Sequence, residues 1–375
     1  MAKTNGIKRC SICGQHLKKN GKSAAGSQRW KCTSCHAGTS FERPDNRRNA
    51  QVNQFAAWLL STRPQAQVTA ASDRSFRRNT AWCWHIIPLI PLTGEVYDEI
   101  LIDGIHIGKM VCLIARTPQF VVGWYWAQSE STETWRALLN QFPPPRVVVC
   151  DGGTGMNSAL RMAWPHTKIQ RCLYHVQAHV RSKLTMNPRL LAGQRLAVLT
   201  KNLTPITSAE EAILWTKSLN LWYRDWAQML KERTYISTKN GRTRWEYTHK
   251  NLRNAYFHLE HLVIKNQMFT FLEPNLADLT VDRTTNYLEG RINSQLRTLL
   301  KAHRGMPFTQ QQRLVEWYLH SRSQFPMTPK ELAQQAKETH HQIQNQVQTI
   351  NDSDIGQPAL YDTGLGEDFQ WTTTS

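Results

Sequence analysis

The sequence predicts an α/β fold, because strand-like runs and helical patterns alternate through its middle. Three observations lead to that prediction. β-rich runs follow one another closely at residues 99–107, 110–115 and 120–127, as in an antiparallel meander. The apolar run 146–150 has the character of a buried strand, and helical patterns flank it on both sides. We therefore expect an α/β core within a longer chain.

Length and charge limit what the chain can be. At 375 residues and 43.3 kDa it is long enough for two to four domains. Its 46 Lys+Arg against 28 Asp+Glu give a net charge of +18, which favours nucleic acid as the partner through phosphate contacts. No apolar run approaches the roughly 18 residues that a membrane helix needs, and the N-terminal residues lack the apolar core of a signal peptide. A cytoplasmic protein without a membrane partner is expected.

The first predicted domain, residues 1–44, is a zinc ribbon. Two Cys-x-x-Cys pairs supply the four thiolates that a tetrahedral structural zinc ion requires: Cys10, Cys13, Cys32 and Cys35. His16 and His36 lie nearby, but a complete set of four cysteines leaves them no necessary role. One structural Zn²⁺ is predicted.

Residues 45–92 have the pattern of three short helices and resemble a helix-turn-helix domain. Apolar residues recur at helical spacing from Val52 to Leu60, and Arg63-Pro64 interrupts the run. A following helix would carry Arg77, Arg78 and Asn79 near its start, where they could donate to base edges or phosphates. The alternative is a three-helix packing unit with a solvated basic face.

The predicted core occupies residues 93–178 and 280–325. After the three antiparallel strands come a helix at 129–142 with Ser131 or Thr132 as N-cap, the strand at 146–150, a helix at 152–163 and a strand at 168–173. That order is typical of a ribonuclease-H-like core. Between the two parts, residues 179–279 are predicted to form an all-α insertion rich in Trp, Lys and Arg. Residues 326–375 form a tail with a Gln-rich helical run at 331–347 and a polar end.

Three carboxylates are candidates for a catalytic metal site. Asp103 lies within the first core strand, Asp151 directly follows the fourth strand, and Glu289 lies in a predicted helix at 286–300. In this strand order the first and fourth strands are parallel neighbours, so the two aspartates meet and the helix delivers the glutamate. Such a set can hold Mg²⁺ or Mn²⁺, two ions in the arrangement used for phosphoryl transfer. Asp282, seven residues before Glu289, is a rival third ligand.

Four strings carry a resemblance to a known family: Asp103-Gly104, Cys150-Asp151-Gly152-Gly153-Thr154-Gly155, Gln170-Arg171-Cys172-Leu173-Tyr174-His175 and Thr285-Asn286-Tyr287-Leu288-Glu289. Over roughly residues 96–310 the chain resembles the DDE transposases of bacterial insertion sequences in the Mutator-like superfamily. The resemblance assigns Asp103, Asp151 and Glu289 to the catalytic triad and favours Glu289 over Asp282. It maps Cys172 and His175 onto a Cys-x-x-His element, which together with Asn286 is expected to support the active site.

The resemblance implies a reaction and a partner. Hydrolysis at the transposon end would release a 3′-hydroxyl, which then attacks target DNA without a covalent protein intermediate. The partners would be double-stranded DNA, at the inverted repeats of the element and at its target, and further copies of the chain on that DNA. The insertion would clamp DNA ends and stack on unpaired bases, or its Trp residues would form a core. Two alternative functions are a DNA-binding regulator with an inactive core and a junction nuclease.

Overall fold

The computed structural model describes residues 9–10, 12–24, 27–40, 44–69, 72–237, 243–285 and 288–338. The chain divides into two compact units. One consists of Met1–Pro88 with Met327–Ser375, and the other is Leu89–Pro326.

The first unit begins with a small antiparallel sheet. Strands β1 (Leu17–Lys22), β2 (Gln28–Cys32) and β3 (Gly38–Ser40) pair in that order. A buried hydrophobic cluster at this sheet contains Cys10, Leu17 and Cys32, against which Trp30 and Ala37 pack. So small a core is typical of domains that depend on a metal or disulfides for stability.

Three helices follow in the same unit: α1 (Pro44–Leu59), α2 (Gln65–Val68) and α3 (Asp73–Thr80). They pack around Phe55 and Leu59 of α1 and Phe76 of α3, all nearly inaccessible to solvent. The three predicted helices are therefore present. A further helical stretch at 329–338 covers the first part of the predicted run 331–347, whose remainder lies outside the described residues.

The predicted position of the basic residues on the third helix is wrong. Ser72 caps α3, because its side chain accepts a hydrogen bond from the backbone N–H of Ser75 at 3.4 Å. The helix thus starts earlier than the basic run suggests, and Arg77 and Arg78 lie in its last turn. Both are exposed, and Asn79 is half-buried. Their contact with DNA stays a prediction.

The second unit is built on a mixed five-stranded sheet. Its strands are β4 (Glu99–Ile107), β5 (Met110–Arg116), β6 (Val121–Ala127), β7 (Val147–Cys150) and β8 (Lys168–Arg171). The order is β6-β5-β4-β7-β8, with β4, β5 and β6 antiparallel and β4, β7 and β8 parallel. The predicted meander and the parallel pairing of the first and fourth strands are confirmed.

Two helices cover one face of this sheet. They are α4 (Thr132–Leu139), capped by Ser131 as expected, and α5 (Thr154–Ala163). Trp135 and Leu138 of α4 and Leu160 of α5 share a buried cluster with Ile100 and Ile102 of β4. Alternate residues of β4 therefore face these helices, and Leu101, Asp103 and Ile105 face the other way.

The inserted segment forms its own helical core. Its helices are α6 (Leu173–Leu184), α7 (Leu191–Lys201), α8 (Ala209–Lys231) and α9 (Lys250–Ile264). Trp215 and Trp222 are buried and donate their indole N–H groups to backbone carbonyls of α7, at 2.8 and 2.9 Å. These two tryptophans stabilise the insertion itself.

The prediction of an all-α insertion is wrong. Strands β9 (Arg233–Ser237) and β10 (Thr243–Tyr247) form an antiparallel pair between α8 and α9. β-Branched and aromatic residues alternate with polar ones in β10 and follow one another as Thr234-Tyr235-Ile236 in β9, and both patterns favour extended structure over helix. The chain between them contains Asn240-Gly241, a dipeptide typical of hairpin turns, so the signal was present in the sequence.

The chain returns to the sheet after the insertion through a π-helical segment, Leu288–Asn293. It continues as α10 (Ser294–Ala302) and then α11 (Phe308–His320). A helix was expected at 286–300, but its first turns are π-helical. Wider π turns occur often at functional sites. None of the helices in the described parts combines the length and apolar character that crossing a membrane requires.

Candidate active site and zinc site

Asp103 lies in β4, on the face of the sheet opposite α4 and α5. Only 8% of the residue is exposed. The backbone N–H of Gly104 donates to Asp103 Oδ1 at 2.9 Å, and the Asn293 side-chain amide donates to Oδ2 at 2.9 Å. Hydrogen bonds of this kind stabilise the ionised carboxylate. Asn293 ends the π-helical segment, so that segment is bonded directly to the first candidate carboxylate.

Asp151 directly follows β7, next to β4. Leu101 of β4 pairs with Val149 of β7 in the parallel ladder, and Asp103 and Asp151 each lie two residues further along. The two aspartates therefore stand at the same level of strands that are about 4.8 Å apart. Asp151 is half-buried, and its Oδ1 accepts a hydrogen bond from the Gly153 N–H at 3.0 Å.

A glycine is required after Asp151. Gly152 has a φ of +80°, which side chains rarely adopt, and the Arg171 guanidinium fills the space that a Cβ would occupy. Arg171 also donates to the backbone carbonyl of Asp151. The end of β8 thus holds the turn that presents Asp151.

Glu289 lies in the π-helical segment Leu288–Asn293, but its side chain is not among the described ones. Asn286 lies outside the described residues. The segment that carries Glu289 nevertheless lies next to Asp103, because Asn293 of the same segment donates a hydrogen bond to Asp103.

The rival acid Asp282 lies near the beginning of β4. Its backbone N–H donates to Glu99 Oε1 at 2.8 Å, and Glu99 precedes Asp103 by four residues, which is about 13 Å along a strand. Burial raises the pKa of Asp282, and burial raises that of Glu99 to about 7, with the charge of Asp282 adding to it. The half-buried Asp282 and the buried Glu99 therefore lie together at the far end of the strand from Asp103.

Cys172 and His175 connect the end of β8 to the chain that precedes the π-helical segment. The backbone N–H and the hydroxyl of Thr285 both donate to Cys172 Sγ at 3.2 Å, and the hydroxyl lies 3.5 Å from His175 Nδ1. Burial raises the pKa of Cys172, but hydrogen bonds from His175 and Thr285 outweigh it and lower the pKa below its usual value. This buried thiol thus accepts hydrogen bonds from Thr285, which lies four residues before Glu289.

Sequence reasoning missed two polar residues at this site, Asn293 and Glu130. Glu130 precedes α4, and its Oε1 lies 3.3 Å from His106 Nε2. Neither residue belongs to a recognisable motif. Glu130 could still have been noticed in the sequence as an acidic residue between a strand and a capped helix.

The four predicted zinc ligands converge. The Sγ atoms of Cys10, Cys13, Cys32 and Cys35 all lie within 4.8 Å of one another, with individual separations of 3.4, 3.5 and 3.6 Å. Zinc bound to four thiolates at 2.3 Å requires S–S edges of about 3.8 Å, so the set fits a tetrahedral ion with small shifts. A backbone hydrogen bond from Cys35 lowers the pKa of Cys32 to about 6, which favours the ligating thiolate.

Comparison with known proteins gives two matches. Residues 114–233 match the family described as "Transposase, Mutator family". The matched segment includes Asp151, Cys172 and His175. Over 175 residues the chain is 25% identical to the "Transposase for insertion sequence element IS905" of Lactococcus lactis subsp. lactis (strain IL1403). That alignment covers 44% of this chain and 41% of the relative, so the match spans about two fifths of the relative's length. Over residues 114–233 the chain is therefore similar to transposases of the Mutator family, in line with the resemblance of the motifs around Asp151 and Cys172.

Proposed function

We propose that the protein is the DNA transposase of an insertion sequence, which binds the ends of its element and catalyses metal-dependent cleavage and strand transfer. One observation supports this most strongly. Asp103 and Asp151 stand at the same level of adjacent parallel strands, and the segment that carries Glu289 is hydrogen-bonded to Asp103. The strand order, with three antiparallel strands followed by two parallel ones, supports the proposal of a ribonuclease-H-like core.

The residues present suit a divalent cation. Carboxylate oxygens are the ligands that Mg²⁺ and Mn²⁺ prefer, and Asp103, Asp151 and Glu289 would hold two such ions. When bound, the ions would activate the attacking oxygen and stabilise the leaving one. Gly104 and Asn293 fix both oxygens of Asp103, while Gly153 orients Asp151. The chain thus supplies carboxylates whose positions are set before DNA arrives.

Cys172 and His175 act in this proposal as support for Glu289. The hydrogen bonds from Thr285 to the Cys172 thiol fix the start of the connection that leads to the π-helical segment. Asn286 would extend that support. Asp282 is the weaker choice for third ligand, because its backbone is tied to Glu99 at the beginning of β4.

DNA would be held through charge and through the flanking domains. The net charge of +18 favours a polyanion, and the exposed Arg77 and Arg78 are available to phosphates or bases. In the insertion, Trp245 of β10 is 44% exposed, and Arg233 stacks on its ring at 4.0 Å. An exposed aromatic ring beside an arginine suits unpaired bases, whereas Trp215 and Trp222 belong to the core. Several copies of the chain would assemble on paired ends.

A cleavage assay tests the proposal. Purified protein is incubated with Mg²⁺ or Mn²⁺ and labelled DNA carrying the inverted repeats that flank its gene. We expect wild-type protein to release a 3′-hydroxyl at the end of the element and to join it to target DNA. Asp151→Asn should abolish both products but retain DNA binding, while Asp225→Asn, at an exposed position of α8, should retain both products.

Two results would contradict the proposal. Equal cleavage by wild type and Asp151→Asn would show that the carboxylates are not catalytic. DNA binding by the wild type without any cleavage would instead favour a regulator with an inactive core.

A further inference from the structure

Glu130 occupies a position that two glycines make possible. A Cβ on Gly104, the residue after Asp103, would lie 2.7 Å from Glu130 Oε1. A Cβ on Gly155, in the first turn after Asp151, would lie 2.5 Å from the backbone carbonyl oxygen of Glu130. Both distances are too short for ordinary contact. Glu130 therefore occupies the space that side chains at positions 104 and 155, close to Asp103 and Asp151, would need.

The charge of Asp151 acts on the carboxyl group of Glu130. Burial raises the pKa of Glu130, the negative charge of Asp151 raises it further, and His106 and Trp135 offset part of the increase. The Glu130 side chain is 28% exposed, and that of His106 is 71% exposed. Two neighbouring carboxylates that solvent can reach repel each other unless a cation lies near them.

Helix capping does not explain this residue. The side chain of Ser131 already caps α4, accepting a hydrogen bond from the Thr134 N–H at 3.3 Å. Glu133 supplies the acidic group in the first turn of the helix. Glu130 precedes both and contacts β4 instead.

We propose that Glu130 is a positioning residue of the same catalytic site. Its carboxylate, the fourth at the site, strengthens binding of the divalent cation beside Asp151 and holds His106 at the edge of the site. This inference rests on the proposed function. Glu130 acts through the hydration shell of the cation and through His106 rather than as a member of the triad. Groups with this role usually alter metal affinity by 10-fold or more when they are removed.

Metal binding by the zinc-loaded, full-length protein tests the inference without DNA cleavage. Mn²⁺ is titrated calorimetrically into wild type, Glu130→Gln and Glu130→Asp, with Glu133→Gln, in the first turn of the following helix α4, as the matched control. We expect Glu130→Gln to weaken Mn²⁺ affinity by about 10-fold, Glu130→Asp to restore part of it, and Glu133→Gln to match wild type. If Glu130→Gln lowers the melting temperature, the titration is repeated with Gly104→Ala. The Cβ added by this substitution displaces the Glu130 carboxylate but leaves the charge of Glu130 in place.

The outcomes separate this inference from the proposed function. If Asp151→Asn weakens Mn²⁺ binding but Glu130→Gln and Gly104→Ala do not, the role of Glu130 is refuted and the catalytic site stands. If Asp151→Asn also leaves Mn²⁺ affinity unchanged, the metal site itself is refuted.

Discussion

The stability of the second unit should depend on pH through one buried carboxyl group, that of Glu99. The residue is 6% exposed, and burial raises its pKa from 4.5 to about 7. The N–H of Asp282 donates to its Oε1. Glu99→Gln keeps the shape and an oxygen that accepts this hydrogen bond, but it removes the ionisation.

The direction and size of the effect follow from linkage. Between pH 4.5 and about 7 the folded chain keeps a proton on Glu99 that the unfolded chain has lost. The stabilisation is therefore fully present below pH 4.5 and is lost as the pH rises through 7. The difference between the two pKa values corresponds to about 3 kcal/mol as an upper value, or roughly 6–12 °C in Tm for a domain of this size.

Differential scanning calorimetry at pH 5 and pH 8 measures this effect. We expect the Tm of Glu99→Gln to rise relative to wild type by several degrees more at pH 8 than at pH 5. Glu95→Gln, at an exposed position before β4, should show no such difference. A Tm difference between Glu99→Gln and wild type that is the same at both pH values would refute the buried environment assigned to Glu99 and, with it, the placement of Asp282.

Three further predictions concern the zinc site and the catalytic site. The protein should bind one zinc ion per chain by metal analysis; Cys32→Ser should lose it and His16→Asn should keep it. Cys172→Ala should destabilise the chain by about 1–3 kcal/mol in urea unfolding, because it removes the sulfur that accepts two buried hydrogen bonds from Thr285, while Cys172→Ser should cost less. Asn293→Ala should slow DNA cleavage more than it weakens DNA binding, since it frees Asp103 Oδ2 from its 2.9 Å hydrogen bond; equal losses in both assays would contradict that role.

The strands of the sheet were predictable because their burial leaves a simple signal. The run 146–150 is almost wholly apolar since β7 is buried on both faces. The meander was visible because breaks separate its three strands. The parallel pairing of β4 with β7 then followed from strand order, while the register of Leu101 with Val149, which sets the level of the two aspartates, is given by the structure.

Other features depend on contacts that sequence patterns do not encode. The π-helical segment around Glu289 has i→i+5 hydrogen bonds and a wider turn than an α-helix, but its six residues are too few to show this in the sequence pattern, so only a helix was predicted. Asn293 and Glu130 are single polar residues whose importance comes from distant partners, Asp103 and His106. The hairpin of β9 and β10 is different, because the alternating residues of β10 and the Asn240-Gly241 dipeptide could have been recognised in the sequence.

The central claim is that Asp103 and Asp151 share one catalytic site with Glu289 and not with Asp282. The most direct test is a single-turnover cleavage assay on end DNA that compares Glu289→Gln with Asp282→Asn at saturating Mg²⁺. We predict that Glu289→Gln reduces cleavage to background while DNA binding persists, and that Asp282→Asn cleaves at a rate close to wild type. Loss of cleavage in Asp282→Asn together with its retention in Glu289→Gln would contradict the account.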